Sequence, residues 1–216
     1  QLRKVPAMIR KLLLGTVAGL AFSGAALAQA VNVVPQVGMI TEILRRPTYT
    51  ATSVGLVPAS SATDIFCISP GASKSIAIRR VVIGGTAGTA ITTPFLLYRR
   101  VSLDTGGTAA TSLALPVGVP HNSSDGASTA TLTAYTANPT VVDSSPSLMG
   151  ALLVDLPVTT AAGGRVDVER TFGTGNDMFS KGIDLLKNTT QQLCVNLNGV
   201  SVSSGVLAIT MEWQEY

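Results

Sequence analysis

The constraint that most limits this chain is its punctuation. From Thr48 onward, runs of five to ten apolar or β-branched residues are broken by Gly, Pro, Asn or Ser about every ten residues. No stretch of ten or more residues in this body keeps a helical period. Short alternating runs between turn signals are the pattern of antiparallel strands packed as a sandwich or jelly roll. Thr48–Val57, Asp64–Ser69, Ser75–Ile83, Ala90–Leu103, Ser128–Tyr135, Arg165–Phe172, Gln191–Leu197 and Val206–Trp213 read as strands. Ser147–Pro157 reads as a strand or a short buried helix, and Met178–Leu186 as either type. In Ser75–Ile83, Ile76, Ile78 and Val82 are expected on one pleat face. Gly84–Thr89 is expected to be a flexible turn. Asn198-Gly199, between two strand-like runs, predicts a hairpin. The fold expected is all-β: one sandwich domain over 48–216, preceded by a connector (31–47) and an apolar N-terminal arm, helical or extended (1–30).

The N-terminal segment has its own logic. Met8–Ala30 places basic residues before the uncharged run Leu12–Ala28, and Ala26-Leu27-Ala28 then precedes Gln29. That order matches a secretory signal cleaved near Ala28, with Met8 as a natural start. A retained arm or membrane anchor fits the same residues. Leu12–Ala28 is close to the shortest bilayer span, and Gly15, Gly19 and Gly24 would let helices approach closely.

Charge narrows the function classes. The formal charge is +3, but Arg3, Lys4, Arg10 and Lys11 supply four of the fifteen Lys and Arg residues. Eleven then face all twelve Asp and Glu, so the body carries −1. This is not the basic stripe of a nucleic-acid binder, and with one Trp and four Tyr there is no aromatic platform for stacking bases. Charged residues make up only 12% of the chain, about half the usual share. A charge-poor surface suits burial against other protein.

Chemistry-bearing residues are sparse. His121 is the only histidine, and its polar neighbours Ser123, Ser124 and Asp125 are adjacent in sequence. A Ser-His-Asp triad draws its members from separated segments, so this run reads as a turn. One His and two distant Cys do not assemble a metal site, and no cofactor is expected. Asp167 and Glu169 share a strand face but lack the framework of a glycosidase pair. Asn122-Ser123-Ser124 and Asn188-Thr189-Thr190 match glycosylation triplets that arise by chance in Ser/Thr-rich chains. Cys67 and Cys194, each mid-strand, fit two readings. They are small buried hydrophobes, or they form a disulfide closing more than a hundred residues and contributing roughly 3–5 kcal/mol. The pairs Arg45-Arg46, Arg79-Arg80 and Arg99-Arg100 are surface charge at strand ends or partners for acidic groups across subunits.

PTYTATSVGLVPASSATDIFCISPGASKSIAIRRVVIGGTA, TPFLLYRR, VPHNSSDGASTATLTAYTANP and LAITMEWQEY resemble a family of phage and prophage structural proteins, over about Arg46–Tyr216. The resemblance implies a non-enzymatic virion component: a head-decoration, head-fibre or tail-associated β-sandwich. It would work as a trimer or larger, against itself and the major capsid protein. The alternative is a secreted bacterial β protein built into an extracellular filament or surface layer.

Overall fold

The computed structural model describes residues 46–109, 117–159, 167–173, 182–202 and 204–216. Arg46–Tyr216 forms one compact unit, and residues 1–45, with the expected leader, arm and Arg45, lie outside the described residues. The unit is all-β, with no helix among the described residues. The strands are β1 (Thr48–Leu56), β2 (Asp64–Ser69), β3 (Ile76–Thr86), β4 (Ile91–Arg100), β5 (Thr108–Ala109), β6 (Val119–Pro120), β7 (Thr131–Ala137), β8 (Ser147–Leu156), β9 (Val168–Thr171), β10 (Ile183–Leu185), β11 (Gln192–Asn196) and β12 (Val206–Glu215).

They make two antiparallel sheets. The first runs β10-β3-β12-β1-β6, with β9 also on the outer side of β3; the second runs β5-β7-β2-β11-β4-β8. Side chains from both sheets interdigitate in one core. Tyr49, Ile78, Ile83, Met211 and Trp213 come from the first sheet, and Phe66, Phe95, Leu97, Leu152 and Val195 from the second. Tyr49 stacks on Trp213 with ring centroids 5.9 Å apart. The alternating burial of β12, from Val206 to Glu215, is the period-two pattern of a strand with one face in the core.

Several local expectations need correction. Gly84 and Gly85 do not form a turn: β3 continues through them to Thr86, with Gly85 opposite Leu207 of β12. A Cβ on Gly85 would stand 2.4 Å from the Val206 carbonyl oxygen, so the glycine is there for a close approach. The face shared by Ile76 and Ile78 does not extend to Val82. A bulge opposite Glu212 and Trp213 inserts Arg79, and beyond it Val81 and Ile83 enter the core instead. Asn198-Gly199 is not a hairpin. β11 belongs to the second sheet and β12 to the first, and the two left-handed residues (φ 53° and 78°) start the connection between sheets. Ser147–Pro157 resolves as the strand β8.

Candidate functional site

The outer face of the second sheet holds the densest group of polar side chains. Alternation sends Phe66, Leu193 and Val195 into the core and turns Cys67, Cys194 and Asn196 outward. A bulge between Val195 and Asn196 sets Asp64 opposite Asn196 on that face. Strand β4 ends in Arg100, and the chain after it returns over the sheet. Its return is fixed by the Val101 N–H donating to Asp143 Oδ2 (2.8 Å) and the Thr105 N–H donating to the Val141 carbonyl (3.1 Å). This cover carries Asp104 down onto the two cysteines.

Cys67 and Cys194 are register partners on β2 and β11 and are joined as a disulfide. Tyr135 of β7 packs against them. The Asp104 carboxylate lies 3.6 and 3.8 Å from the two sulfurs. Arg100 is 3% exposed and Asp64 fully buried. Arg100 Nη2 donates to Asp64 Oδ1 at 2.8 Å, and Nη1 donates to the Asp143 carbonyl at 3.0 Å. Arg100 Nε stands 2.6 Å from Asp64 Oδ2 but off the N–H axis, so that contact is ionic rather than a directed hydrogen bond. Asn196 Nδ2 also donates to Asp64 Oδ1, at 2.6 Å.

Two carboxylates therefore share one guanidinium. Arg100 Nε is 3.8 Å from Asp104 Oδ1, a weaker contact than the one with Asp64. Burial, followed by a hydrogen bond to Asp64 and the charge of Asp64, pushes Asp104 up to about 7. Asp64, Cys67, Asp104 and Cys194 bring four donor atoms within 4.8 Å of one another. Thiolates in that set would suit a soft divalent metal. Bonded to each other, the sulfurs are not thiolates, and Arg100 already pairs with Asp64 and stands near Asp104. The donor set as it stands fits a closed structural cluster that pins β2, β4, β11 and their cover together.

The sequence-predicted residues are distributed as follows. Cys67 and Cys194 are brought together. Arg100 was expected at a subunit surface and is instead buried and paired inside its own chain. Arg99 is half-buried at the end of β4. Arg80 reaches Glu169 (3.3 Å) and Glu212 (3.2 Å), all partly exposed. Arg79 donates to the Gly173 carbonyl (3.2 Å), and Arg46 lies over the Tyr216 ring, 4.1 Å from its centroid. His121 bonds Thr50, while the Ser124 hydroxyl donates to Asn122 Oδ1 at 2.9 Å, so the local polar run is a turn. Asp64, Asp104 and Asn196 escaped the sequence reading. One signal was present: Asp64 opens an otherwise apolar strand, and such a charge enters a sheet only with a partner.

A third buried carboxylate, Glu215, is fully enclosed at the end of β12. It accepts from the Ser128 hydroxyl (2.6 Å), the Thr129 N–H (2.9 Å) and Lys74 (3.2 Å), fastening the segment before β7 onto β12.

Beside the cluster, the same outer face becomes apolar. Register places Pro94 opposite Leu153, Leu96 opposite Ala151 and Tyr98 opposite Leu148. Leu148 is 57% and Leu153 65% exposed. Comparison with family models, with curated proteins and with solved structures finds no match.

Proposed function

We propose that this chain is a structural component of a bacteriophage virion, a β-sandwich that decorates or cements the particle surface through protein–protein contacts. The carrying observation is the apolar outer face of β4 and β8, where Leu148 and Leu153 stand exposed on a body with few charges. Contiguous apolar surface of this kind marks an interaction site. The resemblance of Arg46–Tyr216 to virion proteins supplies the setting. The partners are copies of the chain, in a trimer or larger, and the major capsid protein. Binding is purely associative, and many weak copies of one contact on a lattice gain by avidity.

The disulfide favours a second reading, because such bonds persist in oxidising compartments and virions assemble in a reducing one. In it the chain is exported and built into an extracellular bacterial layer. N-terminal sequencing of the natural product separates the two. A start at or before Met8 agrees with the virion arm, and a start at Gln29 or Val31 overturns it in favour of export. Mass spectrometry of purified particles tests the location directly: peptides from Arg46–Tyr216 in stoichiometric amount are expected, and their absence refutes the virion reading.

A further inference from the structure

Strand β8 closes one side of the second sheet. It pairs with β4 on one side only, and no strand among the described residues pairs with its other edge. From Gly150 to Leu156 its register with β4 is unbroken, since the one irregularity lies between Gly150 and Leu148. This edge carries no Pro, Lys or Arg, the residues that ordinarily blunt a free strand. The opposite situation holds at the neighbouring edge of the first sheet, where β9 brings Glu169 and Arg170.

We propose that β8 is the seat of a second copy of this chain, paired antiparallel across a two-fold axis at Leu153. A two-fold contact does not itself close a trimer, so this adds a pairing contact that joins trimers or larger rings two by two to the self-association of the preceding section, on which it rests. The regular segment is centred on Leu153, so the axis there pairs Gly150 with Leu156 of the second copy, Ala151 with Asp155, and Leu153 with itself. Inward and outward faces stay matched, as period-two alternation requires. The apolar stripe of Pro94, Leu96, Ala151 and Leu153 then continues across the axis, and the most exposed leucine of the strand is covered by its own counterpart. Charge agrees with this arrangement. The only charge on β8 is Asp155, held by the Thr92 hydroxyl at 2.5 Å. Antiparallel pairing separates the two Asp155 residues by four positions, about 13 Å along the strand. That exceeds the screening length of about 8 Å at physiological salt, so they do not repel appreciably. A parallel arrangement would set them side by side.

The test is a thiol at the axis of the full-length chain. Directly opposed residues have Cβ atoms about 4.5–5.5 Å apart, within reach of a disulfide after small adjustment. Leu153→Cys, treated with a glutathione redox buffer, is expected to give a covalent dimer on a non-reducing gel. Val206→Cys, on β12 of the other sheet, is expected to remain a single chain. Leu153→Lys is expected to keep the wild-type circular-dichroism spectrum and cooperative unfolding, and to lose the paired species in native mass spectrometry. Equal cross-linking of both cysteine variants indicates random collision and overturns the proposal. A wild-type oligomer that Leu153→Lys leaves intact, with no Leu153→Cys dimer, overturns the β8 contact while self-association stands. A wild-type protein that stays single at all concentrations removes both.

Discussion

Replacing Arg100 with methionine removes the cation from a buried carboxylate pair while keeping most of the side chain's apolar bulk. Asp64 has no exposure and loses two of its close contacts, at 2.8 and 2.6 Å, retaining the Asn196 amide. Breaking a buried pair from one side costs about 3–5 kcal/mol, because the remaining charge is left desolvated. Loss of the bond to the Asp143 carbonyl falls within that range, since Val101 still holds Asp143. For a domain of this size the cost corresponds to a melting temperature lower by about 6–20 °C. The assay is equilibrium unfolding in guanidinium with the disulfide intact, followed by the fluorescence of Trp213, the only tryptophan and fully buried. A second variant sharpens it. Arg100→Met with Asp64→Leu removes both charges and is expected to recover most of the loss, since a well-packed apolar pair is often neutral or better. A single variant within about 1 kcal/mol of wild type, or a double variant no better than the single, refutes the reasoning.

Three further outcomes follow from the same framework. Removing the disulfide by Cys67→Ala and Cys194→Ala is expected to cost about 2–5 kcal/mol in the same unfolding assay, and two free thiols in the untreated natural protein would refute the bridge itself. The two unusual carboxylates should respond oppositely to pH. Asp104, raised to about 7, contributes stability that is full below its ordinary value of 3.8 and is lost as pH rises toward 7. In Glu215, burial pushes the carboxyl up, but bonds from Ser128, the Thr129 N–H, Lys74 and Trp213 outweigh it and hold the group below its ordinary 4.5; its contribution is present above that value and lost in acid as the folded group protonates. Unfolding free energy against pH should therefore lose its downward slope between about pH 4 and 7 in Asp104→Asn, and an unchanged slope would refute the assignment. Gly85→Ala should cost about 1–3 kcal/mol, because the new methyl meets the Val206 carbonyl oxygen, and a neutral result would mean that β3 and β12 separate easily there.

Most strand positions were legible because alternation and turn residues are local signals. Asp64–Ser69 reads as a strand and is one, residue for residue. What escaped was set by pairing between distant segments. The glycines at 84 and 85 look like a turn until β12 is known to pass against them. The bulge at Arg79 exists only relative to Glu212 and Trp213 and reverses which valine faces inward. Asn198-Gly199 makes the expected local bend, but its flanking strands find better partners in different sheets. The cysteine pairing was one of two open readings, because spacing carries no information about register. Arg100 looked like surface charge because its partners, Asp64 and Asp104, come from β2 and from the cover over the sheet. Exposure of Leu153 was equally hidden, since a strand's sequence does not say whether it lies at an edge.

The most direct test of the account is the native mass of the full-length, unmodified chain at micromolar concentration, measured by light scattering. Association through its own surfaces predicts a species at a whole-number multiple, two or more, of the 22.2 kDa subunit. A single species of 22.2 kDa across the whole concentration range would contradict it.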